Sequence, residues 1–350
     1  MISRCIEVQE NSKLVISNRK VELNADNDVL VEVNYSGVCG SDMPRIFNGG
    51  AHYYPIILGH EFSAKVIKIG KNVKNIKEND RITCAPLVPC LKCDVCEKGN
   101  YSLCSNYTFI GSRIPGSNSN ILSIPESSCV KLPNKVSMLQ GAFFEPITVG
   151  LHPILIAGGC KDKNVIVIGA GTIGLLTLQA AVALGALTVT VFDIDQEKLA
   201  LAKKLGATHT FNSLVNSDLE KFLNLKTIAS EQLIIEMAGS PSAFELVLNI
   251  AAPRAEVFLV GTLHKDLSLG YKTYEKILRK ELKIQGSWMN YSKAFPGKEW
   301  DIAAELFSNN QIDIDSLIEG IFEPSSFVDR IHSLPINQAT GKIILKWPNF

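Results

Sequence analysis

No Asp, Glu, Lys or Arg occurs from Asn164 to Phe192, a run long enough by count alone to cross a bilayer. Its internal order argues against that. The β-branched quartet Val165-Ile166-Val167-Ile168 is followed by Gly169-Ala170-Gly171-Thr172-Ile173-Gly174, then an Ala/Leu-rich segment to about Leu184, then Val189-Thr190-Val191-Phe192. This reads as strand, turn, helix, strand. Glycine-bounded β-branched quartets are parallel strands buried on both faces, and an all-apolar helix between them is a crossover inside a protein.

The glycine turn carries chemistry because of what surrounds it. A lone G-x-G-x-x-G is weak, but this one follows a strand, opens a helix, and is answered by Asp193 at the end of the next strand, where an acid meets an adenosine ribose. Gly169 permits the tight turn, Gly171 lets backbone approach a pyrophosphate, and Gly174 lets helix and strand pack closely. The amides around Thr172 and Ile173 present the positive helix end to the phosphates. A carboxylate at 193 repels a 2′-phosphate and no arginine stands beside it, so NAD is expected rather than NADP; Lys198 is a further candidate at the ribose. Helices at Gln196–Leu205 and Ser242 to about Ala251 alternate with strands at Thr208–Phe211, Leu233–Met237, Glu256–Val260 and Leu282–Ile284, which predicts a doubly wound parallel sheet.

The 350-residue chain has length for two domains. Lys and Arg total 35 and so do Asp and Glu, leaving no basic field for nucleic acid and no polybasic membrane face. Apolar content of 46% and charged content of 20% exclude disorder and low-complexity scaffolds, and no internal repeat is found. Charges interrupt Met1-Ile2-Ser3-Arg4-Cys5-Ile6-Glu7, so a secretory signal is not expected and the cytoplasm is. Nine cysteines, an odd number without a signal, suit thiolate chemistry or metal ligation better than disulfides.

Four of those cysteines are closely spaced. Cys90, Cys93, Cys96 and Cys104 form C-x2-C-x2-C-x7-C in a stretch poor in core-forming residues, and four thiolates at this spacing can enclose a tetrahedral structural zinc. A bacterial iron–sulfur run would place the fourth cysteine differently and follow it with proline. A second constellation is scattered: Cys39 in Gly37-Val38-Cys39-Gly40-Ser41-Asp42, His60 and Glu61 after Gly59, and Glu145 before Pro146. No spacing rule links these, and on the residues alone a lone cysteine is usually a small hydrophobe.

Taken together, these motifs resemble those of the zinc-dependent medium-chain alcohol and polyol dehydrogenases over nearly the whole chain. The resemblance implies that Cys39, His60 and Glu145 bind a catalytic zinc. It implies a Rossmann cofactor domain at 153–285 and a β-rich GroES-like catalytic domain at 1–152 and 286–350, with a structural-zinc lobe at about 88–106. In the catalytic domain strands are expected at Val29–Val33, Ser63–Ile69 and Arg81–Cys84, then a returning helix at Glu299–Phe307 and a final strand Lys342–Trp347. Ser117–Ile121 departs from the family's usual strand and puts the local pairing in question.

The implied reaction is oxidation of a secondary alcohol by NAD, with two zinc ions per chain, in a homodimer or homotetramer. A Lewis acid is needed because an alcohol is scarcely ionised at neutral pH. Glu61 is expected to ligate the resting metal and swing away when substrate enters, and Ser41 to hydrogen-bond the reacting hydroxyl and pass its proton outward. Where classical relatives continue the relay with a histidine, this chain has Pro44, leaving ordered water or His264. The stretches Pro44–Phe47, Gly50–Pro55, Gly111–Arg113, Gly261–His264 and Gly286–Tyr291 are similar to those of family members acting on phosphorylated polyols. A phosphate needs a cation, with Arg113 first, then Arg45, Lys293 and Lys298. The competing readings are a dehydrogenase of an unphosphorylated polyol such as sorbitol or of threonine, and a non-catalytic dinucleotide-binding protein.

Overall fold

Val29, Val31 and Val33 alternate with Leu30 and Glu32 along a strand whose apolar side chains are buried on both faces, and the computed structural model extends that strand to Asp28–Gly37. The structure describes residues 1–225, 231–336 and 338–348. Its chain divides into two compact units. The first comprises Met1–Pro146, Tyr291–Asn309 and Leu317–Phe350; the second comprises Ile147–Asn290 and Asn310–Ser316. The sequence-level boundaries at 152 and 286 therefore differ from the compact units. The first break falls inside the helix Phe144–Ile156, which runs on through Pro146, Gly150 and Pro153, so those residues mark no boundary there.

In the first unit Asp28–Gly37 is the organising strand. Glu61–Ile69 pairs antiparallel along its length, while Ile121–Pro125 pairs with its first half and Lys342–Lys346 with its last residues. The sheet continues through Arg81–Cys84 to Cys129–Lys131 on one side and ends at Ile318–Phe322 on the other. A hairpin of Ile2–Val8 with Leu14–Lys20 forms its own two-stranded sheet and packs into the same core. The atypical segment before Ile121 is held by backbone and side chain together. Ser117 N–H donates to Gly59 O, Asn118 N–H to Leu58 O and Asn120 N–H to Arg4 O, and the Trp347 indole donates to Ser117 O. Buried Ser and Asn side chains do here what strand alternation does elsewhere.

The second unit is a six-stranded parallel sheet in the order His209–Asn212, Thr188–Asp193, Asn164–Ile168, Gln232–Glu236, Glu256–Leu259, Lys283–Gly286. That is the doubly wound order in which the chain reverses direction beside its first strand, placing a ligand crevice at the carboxyl ends there. The central strand is buried throughout and residues 174–181 of the helix Thr172–Ala183 are buried, as the charge-free run requires. Among the described residues no helix is long and apolar enough to span a membrane. The helices beyond the sequence reading include Asn216–Leu223, which buries Phe222, and Tyr271–Arg279, on which no residue is buried.

Candidate active site and metal centres

The four-cysteine segment leaves the sheet between two short strands, Leu87–Val88 and Thr108–Phe109, that pair with each other and close its neck. Cys93 caps the one-turn helix Asp94–Glu97, which turns Cys96 back toward it. All four sulfurs lie within 4.8 Å of one another. Cys90 N–H donates to the Cys104 sulfur at 3.4 Å, the kind of amide contact that favours a thiolate. Led by the Lys92 amide, the surrounding donors hold the Cys90 thiol down to about 6, while burial pushes Cys96 up to about 12. Four sulfurs this close, one of them held toward the thiolate, offer a dication a complete set of donors. The donor set and its closure fit a structural zinc.

The second centre is assembled from far apart in the chain. Cys39, at the end of the organising strand, and His60 and Glu61, at the start of the strand paired with it, bring one ligand atom each within 4.8 Å. The pairing register sets Gly37 directly opposite Glu61. A Cβ at Gly37 would stand 2.5 Å from the Glu61 carboxylate oxygen, so only glycine leaves the acid its place. His60 and Glu61 are buried, and Ser41 Oγ donates to the Cys39 sulfur at 3.3 Å. The edge of the His60 ring meets Phe109, with centroids 5.5 Å apart.

Burial disfavours a charge on His60, yet Asp42, Cys39 and Glu145 together pull its pKa up to about 10. The pocket is anion-rich and draws in a cation. His60 Nδ1 and Asp42 Oδ1 face each other at 3.8 Å, both buried and neither with a hydrogen-bond partner. That leaves the other ring nitrogen for a metal, with the carboxylate orienting the imidazole from behind. A thiol, an imidazole and a carboxylate within reach of one another, among an excess of negative groups, fit a zinc ion. Glu145, in the first turn of the helix Phe144–Ile156, is buried and close enough for its charge to act on His60, but stands outside the three-residue group.

Two residues of this pocket were not reached from sequence. Asp42 lay unassigned within the Cys-Gly-Ser-Asp stretch. Lys342, 281 positions from Glu61, carried no signal at all; its Nζ donates to both Glu61 carboxylate oxygens at 2.9 and 2.7 Å and to Val38 O at 3.1 Å. Burial lowers its proton affinity, but the Glu61 charge outweighs this and raises it. In this structure both oxygens of Glu61, the expected ligand of the resting metal, are held by Lys342.

In the second unit Gly169 has φ +101, and a Cβ at Gly174 would lie 1.9 Å from Gly169 O, so helix and turn meet without room for a side chain. A Cβ at Gly171 meets nothing within 4 Å and the face is open. Thr172 and Ile173 begin the helix as expected. The Asp193 carboxylate accepts from Ala170 N–H at 2.6 Å and Asp195 N–H at 2.9 Å, fixing it at the turn. Lys198 is half-buried in the first turn of the next helix, its N–H bonded to Asp195. Among the other named cations, Arg113 is exposed and lies over Tyr107, Lys293 Nζ donates to Glu97 O in the cysteine lobe, and His264 is exposed in the second unit.

Residues 25–134 match the alcohol dehydrogenase GroES-like domain, and residues 172–307 match the zinc-binding dehydrogenase domain. The galactitol 1-phosphate 5-dehydrogenase of Escherichia coli is 48% identical over 93% of this chain and 94% of its own. The chain belongs to the zinc-dependent alcohol dehydrogenases. A probable D-xylulose reductase A of Aspergillus fumigatus is 31% identical over 86% of this chain and 85% of its own. The crystal structure of galactitol-1-phosphate dehydrogenase from Escherichia coli superposes with a TM-score of 0.96 at 45% identity, covering 98% of this chain and 99% of that one. The Rossmann and GroES-like architecture and the use of zinc and NAD come with membership of this family.

Proposed function

We propose that this zinc-dependent dehydrogenase oxidises galactitol 1-phosphate at carbon 5 to tagatose 6-phosphate, reducing NAD to NADH and releasing one proton. The observation that carries this reading is the cation-seeking cluster of Cys39, His60 and Glu61, with the Ser41 hydroxyl against its thiol, in a chain 48% identical to a galactitol 1-phosphate 5-dehydrogenase. Cys39, His60 and Glu145 would hold a zinc ion, which would supply Lewis acidity to the reacting hydroxyl. Ser41 accepts that hydroxyl's proton and passes it to water, since the Pro44 side chain has no group that could take it. Asp42 orients His60. Glu61 has two available states, one on Lys342 and one at the resting metal, so its charge is balanced in either. Gly169, Gly171, Thr172, Ile173 and Gly174 receive the pyrophosphate, and Asp193 with Lys198 holds the ribose. Arg113 follows Phe109, whose ring meets His60, and forms an outer arm for the phosphate.

A second copy of the chain completes the proposed assembly. The six-stranded sheet ends at Lys283–Gly286, a largely exposed edge, with Trp288 and Tyr274 exposed nearby in sequence; unpaired strand edges of this kind invite pairing with another copy. All nine cysteines are free, which suits a reducing cytoplasm.

Initial rates of NADH formation with galactitol 1-phosphate, galactitol, sorbitol and threonine test the substrate. The phosphate ester is expected to give the highest kcat/KM; a higher value for sorbitol or threonine removes this reading. Zinc analysis is expected to give two ions per chain. One or none, with no turnover of any alcohol, would favour the non-catalytic alternative.

A further inference from the structure

We propose that Arg45 is the inner phosphate-binding residue of the substrate pocket and sets the preference for a phosphorylated polyol. The proposal rests on the reading of Ser41 as the group that meets the reacting hydroxyl. Arg45 Nη1 donates to Ser41 O at 2.5 Å and to Ser41 Oγ at 3.2 Å. That places a guanidinium one hydrogen bond from a hydroxyl that itself touches the Cys39 sulfur. Of the four cations named from sequence, this one is tied to the pocket by direct contact.

Only one nitrogen of the guanidinium is engaged. Among the described residues Nε and Nη2 make no hydrogen bond, and the one carboxylate near it, Asp42, stands 3.7 Å away with Arg45's side chain 22% exposed, too far for a hydrogen bond. Asp42 cannot come closer without loss, because its Oδ2 accepts from Cys39 N–H and its Oδ1 faces His60. Neither of the two unengaged donors is buried, so both are open to an incoming anion. A phosphate oxygen pair meets them through the planar fork that lysine lacks.

The surrounding sequence is built to hold this arginine. Ile46 is buried in the core beside it. Pro44 O accepts from Asn48 N–H and Gly50 N–H at 2.9 and 3.0 Å. Tyr54 OH donates to Arg45 O at 2.9 Å. The stretches Pro44–Phe47 and Gly50–Pro55, separate in sequence, are thus one device, with Tyr54 as the positioning residue. Arg113 differs: its guanidinium lies over the Tyr107 ring, 4.6 Å from the centroid, with Nη2 3.3 Å from Tyr107 OH, and is exposed. An exposed cation already stacked on a ring contributes less to anion binding.

Calorimetric titration of the zinc-loaded enzyme with NADH bound, using galactitol 1-phosphate and galactitol in turn, tests this. Wild type is expected to bind the ester more tightly. Arg45→Gln is expected to weaken the ester by about tenfold or more, the scale of a lost charge-assisted hydrogen bond, and galactitol by less than about twofold. Arg45→Lys keeps the charge but not the fork and is expected to fall between. Tyr54→Phe is expected to shift the ester alone by a smaller factor. Equal weakening of both ligands by Arg45→Gln, or an unchanged ester affinity, overturns the proposal. Should Arg45→Gln fail to fold, by zinc content and NADH binding, the same criterion applied to Arg45→Lys decides. Failure of the proposed reaction reads differently: a wild type that binds the ester through Arg45 but forms no NADH from it retains this inference and loses the reaction. A wild type that turns the ester over while Arg45→Gln keeps the full ester preference loses only the inference.

Discussion

The four-cysteine lobe and the Cys39–His60–Glu61 pocket both gather anionic donors where a dication fits, by opposite routes. The lobe draws all four ligands from one short segment and has little apolar core, so the metal does work that packing does elsewhere. The pocket draws its donors from separate strands and a helix over a dense core in which His60, Glu61 and Lys342 are buried. There the fold positions the ligands and the metal is free to serve chemistry. A site that holds the fold closes its ligand shell, whereas a site that the fold holds can leave a position open.

That contrast can be broken most decisively at Cys39 and Cys93. Cys39→Ser is expected to lower kcat/KM by well over the roughly 10–100-fold typical of outer-shell partners, with the melting temperature nearly unchanged. Cys93→Ser is expected to do the reverse first, releasing one zinc per chain and lowering the melting temperature while the remaining folded fraction still turns over. If both variants moved the same observable, the division of labour would be wrong.

Next in size is Lys342→Met. It strands the buried Glu61 carboxylate, and the expected loss in a denaturant titration is about 3–5 kcal/mol. The double variant with Glu61→Gln should regain most of it. Glu61→Gln alone keeps the shape and removes the charge; a slower rate or weaker zinc retention is expected, and a wild-type value for both would exclude Glu61 from the metal cycle.

The smallest expected effect is Asp42→Asn. Loss of the carboxylate behind His60 should weaken zinc in the pocket by about 10–100-fold in a chelator competition while the lobe keeps its ion. Equal weakening at both centres would mean Asp42 serves the fold rather than the imidazole.

How far sequence reached follows the same division. The lobe was legible because its four cysteines lie within one stretch and thiolate spacing constrains geometry directly. The dinucleotide turn was legible because strand, glycines, helix and acid occur in order within a single βαβ unit, and the structure sets Asp193 against the Ala170 amide. The scattered donors were linked only by family resemblance, and even that left Asp42 without a role. The helix Tyr271–Arg279 carries an apolar stripe of Tyr271, Tyr274, Ile277 and Leu278 at helical spacing that the sequence reading did not use, and none of its residues is buried.

By itself, then, the sequence determined what is local: the parallel sheet around the charge-free run, the glycine turn, and the four-thiol cage, all fixed by backbone sterics and short-range periodicity. Tertiary structure decided which distant charges meet. Strand register placed Gly37 opposite Glu61, the last strand delivered Lys342 to the same acid, and Tyr54 tied down the loop that aims Arg45. Buried charges select their partners by proximity in a low-dielectric interior, and that proximity is created only when separate strands dock.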